Sequence, residues 1–315
     1  MLHLRLVLPD DDADLMIGQL ATDARVTNVV VLPGAARNPA GTAVLCDVAR
    51  EAASDVLERL RAAGLDERGS VSLHAIDASP SANAWAAERA AAGSPDDAVV
   101  WDIVRERAQA DATRSWSFFA FLTLATCIAA VAVVLDSAIL VVGAMVIGPE
   151  FNAIIAVAVG LVIGPRVLSA RGAGLLIQGF AVAIAITALL GVLGGAVGWI
   201  SAGDLTAPRP LTGFIWEPDR WSFVVSLLAG CAGALSHTSS RSSNALVGVF
   251  ISVTTVPAAG NLALALALGV SEEIAGAVAQ LSINLAGLVI AASLTLLMQR
   301  TLLRVERPTT PTRST

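Results

Sequence analysis

The chain contains no lysine and no tyrosine, and only three cysteines and three histidines. Asp, Glu, Lys and Arg together make up 15% of its 315 residues, whereas an ordinary soluble domain carries about 25%. The missing lysine, with abundant Ala, Val and Gly, reads as codon bias of a GC-rich genome. Formal net charge is −6. A nucleic-acid partner is therefore not expected, since phosphate binding needs basic patches. Cys46, Cys127 and Cys231 lie far apart with no metal-ligand spacing, so no metal and no cofactor is expected. His3, His74 and His237 are equally scattered. No phosphate loop, paired Cys/His set or nucleophile elbow is present, so the chain does not read as an enzyme. The N-terminus lacks a basic segment followed by a long apolar run and a small-residue cleavage site. No signal peptide is expected, and the N-terminal domain is expected to stay in the cytoplasm.

Against these shortages stand a mean hydropathy of +0.72 and a hydrophobic share of 55%. Residues 1–114 hold 18 of the 26 acidic and 11 of the 20 basic residues. That asymmetry predicts a charged domain followed by a membrane domain. Expected boundaries are 1–78 for the first domain, 79–115 for a linker and connecting helix, 116–300 for the membrane domain and 301–315 for a polar tail.

Period-two alternation predicts a strand over 2–8. A helix follows from a cap at Asp11 or Asp12 to about Ala24, with Leu15, Ile17 and Leu20 on one face. Further strands are expected at 26–32, closed by Pro33-Gly34, at 42–48 and at 71–76. A loop over 34–41 and an amphipathic helix over 50–64, ended by Gly64, complete the pattern. The order β-α-β-β-α-β is that of an α+β ferredoxin-like domain, a fold that by itself assigns no function. In the connector, a helix is expected from Asp96 to about Thr113.

About 20 apolar residues cross a bilayer as a helix. Six such stretches occur, at 116–135, 137–163, 173–199, 221–236, 245–269 and 278–299, so an all-α domain of six transmembrane helices is expected. Trp116, Trp199, Trp216 and Trp221 sit at span ends, where aromatic belts belong. Arg105, Arg107, Arg114, Arg166, Arg171, Arg241, Arg300, Arg304 and Arg307 fall on one side, leaving Arg209 and Arg220 on the other. The positive-inside rule then places both termini in the cytoplasm. Spans two and five are each interrupted by proline, at Gly148-Pro149 and at Val256-Pro257, which kinks or splits a helix. Each is the middle member of a set of three. Two sets of three spans are inverted relative to each other, and interrupted spans at matching positions point to a binding site near the midplane. Prolines that merely kink packed helices are the alternative.

Three stretches, "VGAMVIGPEFNAI" from Val142, "GALSHTSSRSSNALVGVFISVTTVPAAGN" from Gly233 and "SINLAGLVIA" from Ser282, resemble the bacterial membrane family catalogued as domain-of-unknown-function number 389. The "NVVVLPGAARNPAG" stretch resembles its actinobacterial members. The resemblance implies a small α/β domain ahead of a multi-span inner-membrane domain, and it implies no substrate.

Glu150 is the one acidic residue well inside an expected span. A carboxylate there costs at least about 2.5 kcal/mol and marks a functional candidate. With Pro149 at the first position of a half-helix, Glu150 lies in the first turn, where the dipole favours negative charge. It is either a proton or cation site or a cap. Gly148, Pro149, Glu150, Asn152, Thr254, Thr255, Pro257, Asn261 and Asn284 form the candidate substrate or ion site. Thr254 and Thr255 also suit carbonyls freed by the break, and Asn284 also suits a simple interhelical bond. The stretch from His237 to Asn244 joins spans four and five. His237, Ser239, Ser240, Arg241 and Asn244 there are either an anion site with Arg241 as clamp or an ordinary turn. Gly194-Gly195 and the Gly230/Gly233 pair favour close helix packing.

Two functional classes follow. One is a transporter- or channel-like protein with a regulatory or assembly domain, taking a small-molecule or ion ligand. The other is a non-transporting homo-oligomeric scaffold or signalling protein. In both, the lipid bilayer is the first partner.

Overall fold

The computed structural model describes residues 1–95, 98–239 and 254–305. The chain divides into two compact units, Met1–Ile103 and Val104–Thr315.

The first unit is built from β1 (Leu2–Leu8), α1 (Asp10–Thr22), β2 (Val26–Arg37), β3 (Ala40–Val48), α2 (Arg50–Ala62), the short α3 (Leu65–Arg68), β4 (Ser70–Ala75) and α4 (Ala82–Ala90). The strands form one sheet in the order β2-β3-β1-β4, and every pairing is antiparallel. Alternation decides which face is covered. Leu2, Leu4, Leu6 and Leu8 of β1 point to the core, as do Val44, Cys46 and Val48 of β3. They meet Met16 and Leu20 of α1 and Val56, Leu57 and Leu60 of α2. Burial pushes the Cys46 thiol up to about 12, with the Asp47 carboxylate adding to the rise, so this sulfur stays protonated and inert.

Three expectations are corrected here. The α1 face that packs inward is Ala13, Met16 and Leu20; Leu15 is 71% exposed. The spacing 13-16-20 follows the helical repeat, which places Leu15 on the outer side. Second, 34–41 is not an open loop. β2 runs through Pro33-Gly34 to Arg37 and pairs back with Ala40 and Gly41 after a tight turn. Pro33 is tolerated because β2 is an edge strand and the pairing slips register between Leu32 and Ala36. Third, the connecting helix, α5 (Trp101–Asp111), starts five residues later than the sequence suggests; ahead of it, Ala91 and Val100 are buried in the sheet unit's core.

Asp23 ends α1 and gathers the unit's strongest charge network. It accepts hydrogen bonds from Arg25 (Nε, 2.9 Å; backbone N, 3.0 Å) and from Arg59 (2.7 Å). The Arg25 bonds hold its carboxyl well below the usual carboxylate range, against the opposing effect of burial. A depressed folded-state value stabilises the fold above the unfolded value of about 3.9, and this is lost as acid titrates the folded carboxylate. Wild type should therefore be more stable than Asp23→Asn at pH 7. The gap should narrow progressively as pH falls below about 4, read by hydrogen exchange of α1 and β3 amides in the full chain.

The second unit contains α6 (Trp116–Val134), α7 (Ala138–Ile147), α8 (Glu150–Val162), α9 (Arg166–Ala196), the short α10 (Ala202–Thr206), a 3-10 turn at Gly213–Ile215, α11 (Arg220–Thr238), α12 (Thr255–Leu268) and α13 (Ser271–Val305). Among the described residues, α6, α9, α11 and α13 are long and apolar enough to cross a membrane. The pair α7 and α8, bent by 52°, makes a fifth if counted as one span. The fifth expected span, 245–269, begins outside the described residues, and the 14-residue α12 is its described part. Both α9 and α13 are longer than hydropathy suggests, at 31 and 35 residues. Their starts are set by Gly164-Pro165 and by Gly269, whose φ of +72° ends α12. Helix breakers, not hydropathy, fix these bounds.

Small residues let these helices touch. A Cβ on Gly172 would meet Ala153 and Val157 of α8, and one on Gly260 would meet Ala129 and Ala130 of α6. Gly230 faces the Leu288 carbonyl of α13, and Gly233 lies against the Phe151 ring of α8. The Gly230/Gly233 reading thus acquires definite partners. Gly194 and Gly195 have looser neighbours, at 3.3 Å and beyond.

Candidate functional site

The break in the second span lies at Gly148-Pro149. Pro149 has no N–H to give the carbonyl of Met145, so the ladder stops there. Gly148 caps α7 by donating to Ala144 (3.3 Å). Pro149 is the N-cap of α8, and Glu150 is its first residue; the sequence placed proline one position later. With ten residues in α7 and thirteen in α8, the helices rise about 15 and 20 Å. The break therefore falls near the middle of the span. At the far end of α8, Arg300 and Arg105 donate to the carbonyls of Val162 and Ile163, where cations complement the helix dipole.

The start of α12 comes to this break. Thr255 Oγ1 donates to Glu150 Oε1 at 2.7 Å, and the open side of Gly148 faces Glu150 and Val256. Two half-helix N-termini thus meet at one carboxyl group, which the positive ends of both dipoles favour. Glu150 is buried and its Oε2 has no hydrogen-bond partner. Pro257 occupies the third position of α12, inside the first turn, where a missing N–H costs nothing. The break expected at Val256-Pro257 is not found there: both residues lie inside the continuous helix α12.

Thr254, the preceding residue, faces α13. Its Oγ1 accepts from Asn284 Nδ2 (2.8 Å) and from Gln280 Nε2 (3.1 Å). Gln280 and Asn284 are one turn apart on the face that also carries Glu273. Asn152 is half-buried in the first turn of α8.

Asn261 is placed differently from expectation. It lies six residues beyond Thr255, about 9 Å along the helix, and belongs to a second cluster. Its Oδ1 accepts from Arg209 (3.0 Å), and its Nδ2 donates to Glu273 (2.9 Å). Arg209 also bonds Glu273 Oε1 directly (2.5 Å), with both side chains 4% exposed. Sequence reasoning left Arg209 and Glu273 as loop charges. The available signal was the Pro208-Arg209-Pro210 triplet, an arginine stiffened on both sides in an otherwise cation-poor connection. The same connection is tied down again at Asp136, which accepts from Leu211 N (3.1 Å) and Thr212 Oγ1 (2.8 Å).

Between these clusters lies a cavity of about 1120 Å³. The described residues that line it include Arg209, Trp216, Glu272 and Glu273 together with Thr254 and Asn284. A continuous polar series therefore runs from the cavity through Thr254 and Thr255 to Glu150.

The candidate anion loop is only partly described. His237 is buried in the last turn of α11 with Nε2 lacking a partner. Thr238 bonds Gln299 (2.9 Å), and Ser239 caps α11. Ser240, Arg241 and Asn244 lie outside the described residues. Among the described residues, no group of three His, Cys, Asp or Glu side chains is placed to hold a metal ion.

The long apolar helices, packed through small residues around a buried polar series, mark a membrane protein. Residues 145–290 match the model of the family described as "Domain of unknown function (DUF389)". The match, to the family that the sequence resembles, takes in the elements from α8 to α12 and the first 20 residues of α13. No curated protein and no solved structure matches it.

Proposed function

We propose that the protein is a transporter- or channel-like, non-enzymatic, multi-pass protein of the bacterial inner membrane. In this reading six spans form two inverted sets of three with both termini in the cytoplasm, and the ferredoxin-like domain of residues 1–78 regulates or assembles them. The packing supports the repeat. α8 lies against α9 and α13, α12 lies against α13 and α9, α6 packs on α9, and α11 packs on α13. α8 and α12 thus each touch the long helix of their own set and that of the other.

The observation that carries the reading is the junction of Thr254 and Thr255. One hydroxyl lines the cavity, and the next holds the buried Glu150. A ligand in the cavity is then one residue from a carboxyl that exchanges a proton or holds a cation at the centre of the bundle, where ionisable groups serve pathways. Proteoliposomes with a trapped pH-sensitive dye, or with an imposed sodium or potassium gradient, should show flux. Glu150→Gln keeps the shape and the Thr255 contact but removes the charge, and should lower that flux at least about tenfold. Equal flux in Glu150→Gln would remove Glu150 from the pathway. Absence of flux under every gradient would favour the oligomeric scaffold instead.

A further inference from the structure

We infer that Glu150 is a proton-binding site that takes no metal cation. This rests on the transporter-like reading and names the ion of that same site.

The argument begins with the two carboxyl oxygens. Oε1 accepts from Thr255 Oγ1 at 2.7 Å. Oε2 is buried and has no partner, and the residue as a whole is 7% exposed. What stands beside Oε2 is hydrocarbon. A Cβ on Gly148 would collide with Oε2 and would lie 2.8 Å from the Val256 methyl Cγ2, so Gly148 and Val256 close that side. Gly148, Glu150 and Val256 are not part of the cavity wall.

What each ion needs separates the candidates. Hard cations such as calcium and magnesium take about six or more oxygen ligands. The backbone groups that the first turns of α8 and α12 leave unbonded are N–H donors, which suit a carboxylate and cannot ligate a metal. A proton needs neither room nor a shell. It bonds to Oε2 itself and cancels a charge that burial disfavours.

No side chain neutralises the carboxylate in the proton's place. Among the described residues Glu150 makes no ion pair, and α6, α7 and α12 carry no charged residue. Cys127 of α6 is taken up by Thr187 of α9. The charges of α9 are Arg166 and Arg171 at its start, beyond the far end of α8. On α11, Arg220 opens the helix, and Cys231 and His237 flank Gly233, with His237 one turn beyond it. On α13, Glu273 is held by Arg209 beside the exposed Glu272, and Arg300 bonds Val162, at the opposite end of α8 from Glu150.

The test uses dicyclohexylcarbodiimide, an apolar reagent that reaches carboxyl groups through the bilayer and condenses with them in their protonated form. The acid proton passes to a carbodiimide nitrogen, a carboxyl oxygen bonds to the central carbon, and the adduct rearranges to a stable N-acylurea. Mass spectrometry of the full chain in nanodiscs should find the adduct on Glu150 and none at that position in Glu150→Gln. Its rate should fall about tenfold per pH unit above the titration midpoint, and sodium or potassium chloride should leave it unchanged. Infrared difference spectra between acid and alkaline perfusion give a second readout that needs no reagent. The carbonyl band of a protonated carboxyl should be lost in Glu150→Gln and should not change when sodium or potassium replaces choline; this band decides where the reagent does not reach Glu150. Slowing of the labelling by either metal ion, or a Glu150-dependent band that responds to one, would overturn the inference and leave Glu150 in the pathway as a metal site. An unlabelled Glu150 with no Glu150-dependent band would overturn it as well. Metal-insensitive labelling in a protein without flux under any gradient would keep the proton at Glu150 and overturn the transporter-like reading instead.

Discussion

Arg209→Ala should destabilise the membrane unit by about 3–5 kcal/mol, because breaking a buried ion pair leaves a carboxylate unpaired in a place it cannot be hydrated. Glu273 would lose its only cationic partner among the described residues and keep just the amide of Asn261. Thermal unfolding of the full chain in detergent or nanodiscs should show the loss. Glu273→Gln should cost nearly as much, through the stranded guanidinium. The double variant Arg209→Met/Glu273→Gln should recover a large part of either single loss, since replacing both charges is far cheaper than removing one. Additive losses would mean that the two side chains act independently. The same variants read out the 200–219 connection. Arg209 and the Asp136 bonds are its anchors on the bundle, so Arg209→Ala should also raise proteolysis near Pro210.

The second large effect is steric. A Cβ on Gly233 would fall within the Phe151 ring, so Gly233→Val forces α11 away from α8 or the ring out of its place. Overpacking costs about 1–3 kcal/mol, and in lipid the contact is not replaced by a hydrophobic driving force. The expected result is a lowered melting temperature together with loss of flux, because Phe151 adjoins Glu150 in the first turn of α8. Phe151→Ala should be mild alone and should rescue Gly233→Val. Failure of that rescue would separate the two helices.

How far the sequence speaks depends on the kind of signal. Alternation in Leu2–Leu8 and the spacing of Val56, Leu57 and Leu60 reveal the sheet unit because burial in a small domain is periodic. Gly148-Pro149 reveals the break because proline's missing donor acts locally. The Glu150–Thr255 contact joins residues 105 positions apart, and no local pattern carries such a distance. Arg209 and Glu273 look like surface charges from their neighbours alone; only the packing of the 200–219 connection against α12 and α13 buries them. Leu15 misled for a simpler reason. A short apolar set can be drawn on more than one helical face, and Met16 fitted the buried one better.

The central claim is that water reaches the polar series between α12 and α13 from the side of the 200–219 connection. It is tested most directly with Asn284→Cys in full-length protein whose Cys46, Cys127 and Cys231 are replaced by Ser, treated with a membrane-impermeant maleimide in sealed vesicles. Thr254→Cys provides an independent probe of the same wall, and Glu272→Cys marks the exposed rim. The expected result is labelling at all three positions, from the same side of the membrane. Labelling at Glu272→Cys with none at Asn284→Cys or Thr254→Cys would contradict the account.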